Sequence, residues 1–178
     1  MHVSLVGVNY STTPVRFLER LTIGIPQLQD SLLLLRQHAP HGIILSTCNR
    51  TEVYTMGGDD QSIEEASFNF LNALTDGSFT DVLPHIYLCK NEIAFRHLFR
   101  VASGLDSMII GEFEILGQVR RALETAEKTR MVNLPLRNLF RHAIVTGRRA
   151  REETEISKNA ISISSVAVDL VTGIIGDL

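Results

Sequence analysis

Charge of one sign is scarce in this sequence: 17 Lys and Arg stand against 20 Asp and Glu, a formal net charge of −3. Taken whole, that balance argues against a chain built chiefly to bind nucleic acid. Cysteine is scarce too. Cys48 and Cys89 are too few for a disulfide framework, although a single bridge between them stays open on sequence alone. The opening Met1-His2-Val3-Ser4-Leu5 carries no basic stretch and reads as a strand rather than a leader, so the expectation is free thiols in the cytoplasm. No apolar run approaches the ~20 residues that cross a bilayer, which predicts a soluble chain with no membrane partner. His2, His38, His41, His85 and His142 follow no zinc spacing, so no metal is expected. No tract is biased enough to suggest disorder or a fibrous repeat.

What remains is ordinary globular material, 178 residues with 44% hydrophobic content, enough to bury a core. Residues 2–10 are apolar and β-branched and predict a strand. Thr13-Pro14 reads as a helix start, and Leu28, Leu32 and Leu35 stripe a helix opened by Pro26. Segments 42–48 and 51–56 predict two strands joined through a tight turn at Asn49-Arg50. Ser62 with Glu65 forms a capping box for a helix to about Leu74. A strand near 85–89 precedes a helix capped by Asn91 and running to about Val101. Strand, helix, strand, strand, helix, strand is the order of the split βαβ, ferredoxin-like α+β fold with an antiparallel sheet.

From Glu112 onward the pattern is helical throughout. Ile115, Val119, Ala122 and Ala126 share one face, Asn133 and Pro135 open a second helix, and Ile163, Val166, Leu170, Ile174 and Leu178 stripe a third. That stripe continues to the last residue, which suggests a longer parent protein. Ten of the 17 basic residues fall between Arg120 and Lys158, against five acids. The excess fits an RNA footprint or a solvated helix face with interleaved charge pairs.

Two segments carry chemistry-bearing residues. In Ser46-Thr47-Cys48-Asn49-Arg50, a strand delivers a cysteine to a turn, where a guanidinium such as Arg50 would lower the thiol pKa from its usual ~8.5 and favour the nucleophilic thiolate. A buried structural thiol is the competing reading, since free cysteine is among the most buried residue types. In 97–112 a helix ends at Gly104, and a turn rich in Asp, Ser and Gly leads to Glu112, a setting that suits a small polar ligand. Taken singly, His97 reads as a hydrogen-bonded core histidine, and Glu112 and Glu114 as first-turn acids favoured by a helix dipole.

Together, STCNRTEVY (46–54), HLFRVASGLDSMIIGEFEILGQV (97–119) and GRRAREETEISKNAISISSVAVDL (147–170) resemble, in order, the signature blocks of glutamyl-tRNA reductases, and the likeness covers the whole chain. The resemblance implies that Cys48 attacks the ester joining glutamate to its tRNA, giving a thioester that NADPH reduces to glutamate-1-semialdehyde for tetrapyrrole and heme biosynthesis. It implies His97 as a second catalytic residue, placed to orient or protonate groups near the ester. Thr47, Asn49, Arg50, Ser107, Glu112, Phe113, Glu114 and Gln118 would contact substrate, with Arg50 on the glutamate carboxylate and Glu112 on its ammonium group. The family's GE-x-Q-I-x-G-Q-V pattern is altered here, Glu114 standing where Gln is usual.

The same resemblance divides the chain into a catalytic domain, 1–146, and the start of a long connecting helix, 147–178. The NADPH-binding and dimerisation domains are then absent, and no G-x-G-x-x-G follows a strand. The expected partners are glutamyl-tRNA, a second copy when full length, and the next enzyme, glutamate-1-semialdehyde aminomutase. The chain alone is expected to form and hydrolyse the thioester without reducing it. The alternative function is a non-catalytic tRNA-binding module of ferredoxin-like fold.

Overall fold

The computed structural model describes residues 2–75, 79–157 and 171–172. The elements run β1 (His2–Asn9), α1 (Val15–Leu21), α2 (Leu28–Leu35), β2 (Gly42–Ser46), β3 (Arg50–Gly57), α3 (Asp60–Leu74), α4 (Phe79–Val82), β4 (Tyr87–Lys90), α5 (Asn91–Ala102), α6 (Glu114–Lys128) and α7 (Leu134–Glu153). The sheet order is β2-β3-β1-β4 with every pairing antiparallel, the arrangement of the split βαβ unit expected from the order of elements. The apolar stripe from Ile163 to Leu178 lies outside the described residues, as does Lys158. The boundary expected at 146/147 falls inside α7, which continues to Glu153.

The two faces of the sheet can be told apart along β3, because successive side chains alternate. Thr51 and Thr55 point one way: the Thr51 hydroxyl donates to the carbonyl of Leu21 on α1, and the Thr55 hydroxyl bonds that of Ser67 on α3. Arg50, Glu52 and Tyr54 point the other way, toward His97 of α5 and Phe140 of α7, whose ring meets Tyr54 edge-on at 5.1 Å. Helices therefore cover both faces. This is why β1 and β3 are buried along almost their whole length and β1 reads as a nearly continuous apolar run.

Several helix starts differ from expectation, each for a local reason. The capping box at Ser62 is replaced by Asp59, whose carboxylate accepts from the Ser62 amide at 2.8 Å and from its hydroxyl, so α3 begins at Asp60. Asn91 does not cap α5; it sits at φ 47° and its side chain accepts from the amide of Val3, tying the helix start to β1. Pro26 lies in a single 3-10 turn, Ile25–Gln27, ahead of α2. Pro14 itself occupies the cap position of α1, while the Thr13 hydroxyl turns away to the carbonyl of His85. Helix α6 starts at Glu114, two residues later than the pattern suggested, whereas Asn133 caps α7 through the Leu136 amide as expected.

Candidate active site: an exposed thiol turn beside a buried carboxylate

The tight turn lies one residue earlier than anticipated, at Thr47-Cys48-Asn49, and Arg50 is already the first residue of β3. The Thr47 hydroxyl oxygen accepts from the amides of Asn49 (3.1 Å) and Arg50 (3.2 Å), and the Thr47 amide donates to the Arg50 carbonyl at 2.8 Å. Those bonds satisfy the turn locally and leave Cys48 at its tip with an exposed side chain. Asn49 is half-buried, its carbonyl accepting from the Tyr10 amide.

Inside the sheet face next to this turn lies Glu52, with no exposed surface. Its carboxylate accepts four bonds, each of 2.7 Å: from Arg50 Nη1, Tyr87 Oη and His97 Nε2 on Oε1, and from Tyr54 Oη on Oε2. Burial pushes the carboxyl upward, but the His97 hydrogen bond and the Arg50 guanidinium outweigh it and bring the pKa from the usual 4.5 to about 2. Glu52 is thus ionised, and His97 Nε2 carries the proton it donates. The other ring nitrogen, Nδ1, faces Asp106 Oδ2 at 3.6 Å. Burial and the Glu52 charge hold both Tyr54 and Tyr87 well above the ordinary phenol range, so both remain donors.

Glycine makes the convergence on Glu52 possible. In the register of the sheet, Gly7 of β1 stands between Glu52 of β3 and Tyr87 of β4. A Cβ there would lie 2.9 Å from the Thr51 carbonyl oxygen and 3.0 Å from Glu52 Cγ, so only the bare backbone lets Tyr87 reach across β1.

Arg50 is not a free cation beside the thiol. Its side chain is 2% exposed, pairs with Glu52, donates to the Asp106 carbonyl and lies 3.7 Å from the Asp106 carboxylate. Burial lowers its pKa and the Glu52 charge more than restores it, so it stays charged. Through Arg50 the site joins segment 103–113, where the Ser107 hydroxyl is buried without a hydrogen-bond partner among the described residues. Glu112 is half-buried, while Phe113 and Glu114 project into solvent at the start of α6. Gln118 stands apart from the Glu52 cluster, in a recess it lines with Ile23, Ser46 and Arg121.

The sequence reading missed Glu52, Tyr54, Tyr87 and Asp106. One signal was available: Arg50, Glu52 and Tyr54 alternate along a strand otherwise apolar enough to be buried, and polar groups on a buried face must find one another. Cys89 lies half-buried on β4; burial raises its thiol pKa, and Glu52 and Asp106 push it the same way. The basic excess of α6 and α7 is answered in part at the surface. Arg137 and Arg141 pair with Glu127, Arg148 with Glu152 and Arg149 with Glu153, the interleaved-pair arrangement. Among the described residues, no cluster of His, Cys, Asp or Glu could hold a metal ion, and no helix is long and apolar enough to cross a membrane.

An α+β domain of the split βαβ class, with a thiol turn set beside a buried carboxylate–imidazole pair, is the class that fold and site define. The family model described as the N-terminal domain of glutamyl-tRNAGlu reductase matches residues 6–154. The chain belongs to that family. It is 44% identical over 180 residues to the glutamyl-tRNA reductase of Carboxydothermus hydrogenoformans, covering 100% of this chain and 40% of the relative. It is 40% identical over 169 residues to that of Roseiflexus castenholzii, covering 95% of this chain and 40% of the relative. The solved glutamyl-tRNA reductase of Methanopyrus kandleri superposes with a TM-score of 0.72 at 34% identity, over 96% of this chain and 39% of that one. The chain therefore spans about 40% of the length of these relatives.

Proposed function

We propose that this chain carries the acyl-transfer half of glutamyl-tRNA reduction, the step that commits glutamate to tetrapyrroles. Cys48 Sγ, as thiolate, attacks the ester carbonyl carbon joining glutamate to the terminal ribose. A C–S bond forms, the C–O bond to ribose breaks, and the ribose oxygen takes up a proton, leaving a glutamyl thioester and free tRNA. The observation that carries this reading is the contrast between the two thiols: Cys48 is exposed at a turn satisfied by its own backbone, whereas Cys89 is partly buried and held protonated.

The remaining roles are part of the same proposal. Proton transfer is assigned to His97 Nδ1, the ring nitrogen that Glu52 does not hold: it takes the Cys48 thiol proton as the thiolate forms and passes it to the departing ribose oxygen. Ser107 contributes a buried hydroxyl with bonding capacity to spare. Thr47, whose oxygen accepts two amides, keeps its own proton for a substrate oxygen. Arg50 reaches the glutamate carboxylate by exchanging Asp106 for it, with Glu52 remaining as its second partner. Glu112 takes the ammonium group, and Asn49, Phe113, Glu114 and Gln118 face the rest of the aminoacyl-tRNA.

NADPH does not fit the described residues. The sheet is wholly antiparallel and has no glycine-rich turn leading from a strand into a helix to receive a pyrophosphate. No step here runs through it. Hydride delivery, dimerisation and hand-over of the aldehyde to an aminomutase would fall to parts of the family beyond the share this chain covers.

The test is to incubate the chain with glutamyl-tRNA and record intact mass beside Cys48→Ser. A glutamyl adduct on the parent and not on the variant is expected. No adduct, with deacylation no faster than in buffer and tRNA binding unaffected by the substitution, would overturn the reading in favour of a tRNA-binding module.

A further inference from the structure

We infer that Arg151, near the end of α7, is a positioning residue for this site. The inference rests on the reading of segment 103–113 as a substrate-contacting loop. Arg151 reaches three carbonyl oxygens from one guanidinium: Ala102, the last residue of α5, at 2.8 Å; Gly147 of its own helix at 2.7 Å; and Glu112, just before α6, at 3.0 Å. Two of these acceptors are the two ends of the segment that holds Asp106, Ser107 and Glu112. The side chain therefore staples the loop shut at its base, where Gly111 N also donates to the Gly104 carbonyl at 2.9 Å.

Independent packing holds the same junction. A Cβ on Gly147 would lie 2.3 Å from the Ala102 carbonyl oxygen, so α7 sits directly against the end of α5 because Gly147 has none. A Cβ on Gly111 would meet the Ile156 carbonyl oxygen at 1.9 Å, and the Ser157 hydroxyl donates to the Gly111 carbonyl at 3.0 Å. From the opposite side the loop is gripped at its middle by Arg50, which donates to the Asp106 carbonyl. Its outer side chains, Leu105, Met108 and Ile110, are exposed. The place of Ser107 and Glu112 relative to Cys48 is thus held from three elements: by Arg50 of the sheet, by Arg100 of α5, which lies 3.5 Å from the Asp106 carboxylate, and by Arg151 of α7, which alone ties the two ends of the loop together. Arginine suits the second task because its planar fork carries five donors in fixed directions, whereas lysine offers one compact ammonium.

The experiment compares parent, Arg151→Met and Arg151→Lys in the adduct assay at saturating glutamyl-tRNA, together with amide exchange across 103–113 and the melting temperature. In Arg151→Met, exchange across 103–113 speeds up and adduct formation slows about 100-fold, the scale of an ångström-sized misplacement of reacting groups, with tRNA affinity held. Arg151→Lys, which keeps the charge and part of the bonding, recovers about tenfold of that loss. A loosened loop with an unchanged adduct rate overturns the inference, as does a slowed rate with unchanged exchange. Where Arg151→Met fails to fold, Arg151→Lys is judged by the same two readouts. A parent that forms no adduct overturns the function reading and the role of Arg151 with it; a reactive parent whose variants match it overturns only the role of Arg151.

Discussion

At the start of β3 the turn 47–49 holds an exposed thiol by bonds to its own backbone, while two residues into the strand the Glu52 carboxylate has no exposed surface and takes bonds from four side chains. The turn is mostly local: the bonds to the Thr47 hydroxyl span no more than three residues, and the Tyr10 amide on the Asn49 carbonyl is its tie to the end of β1. Around Glu52 the chemistry is long-range, drawing Tyr87 and His97 from 35 and 45 residues away. On the proposed function, the difference separates reactivity from positioning. A nucleophile must be reached by substrate and so sits where little else depends on it. The groups that orient its surroundings sit where each loses its partners if another is removed.

Substitution at Glu52 should break the comparison most forcefully. Glu52→Gln leaves the Arg50 charge buried without its main partner and should cost about 3–5 kcal/mol in urea denaturation, the usual penalty for breaking a buried pair from one side. A loss under about 1 kcal/mol would show that Arg50 finds full compensation at Asp106.

Acid should act on the same group without mutation. The Glu52 pKa is depressed from 4.5 to about 2, so its contribution is present above the unfolded value and is lost as pH falls from about 4.5 toward 2. The amount is about 3 kcal/mol, and Glu52→Gln should lose that share of the acid sensitivity. An unchanged slope in the variant would place the acid sensitivity elsewhere.

Gly7→Ala tests whether the convergence depends on a missing side chain. The added methyl meets backbone at 2.9 Å, and overpacking of this kind costs about 1–3 kcal/mol. The Tyr87 hydroxyl should lose Glu52 as well, readable as a downward shift in its phenol titration.

Smallest in stability is Cys48→Ser, expected to change the urea midpoint by no more than about 0.5 kcal/mol because an exposed turn tip supports no packing. The same substitution should abolish the adduct. Large destabilisation by this change would erase the division between a reactive turn and a structural interior.

Much of the fold was legible beforehand. β1 appears as an apolar run, β2 and β3 as paired segments around a polar turn, and the helix at Asn133-Pro135 by its cap, because strand and helix periodicity are read directly from residue order. Errors gathered where one polar residue competes with its neighbour for a cap, as Asp59 does with Ser62, or where a side chain is drawn off to a distant strand, as Asn91 is by Val3.

The site divides along the same line. Cys48 and its turn were visible because the turn is made by adjacent residues, and Ser107 and Glu112 because they lie in one recognisable block. Residue order alone therefore determined the family, the succession of strands and helices along the chain and the position of the thiol, all properties carried by short-range pattern. Only the tertiary structure decided that Arg50 faces inward to Glu52 and Asp106, that Tyr87 crosses Gly7, and that Arg151 closes the loop bearing Ser107. Each of those contacts joins elements far apart in the chain, and the partner of a buried charge is set by strand register and helix packing.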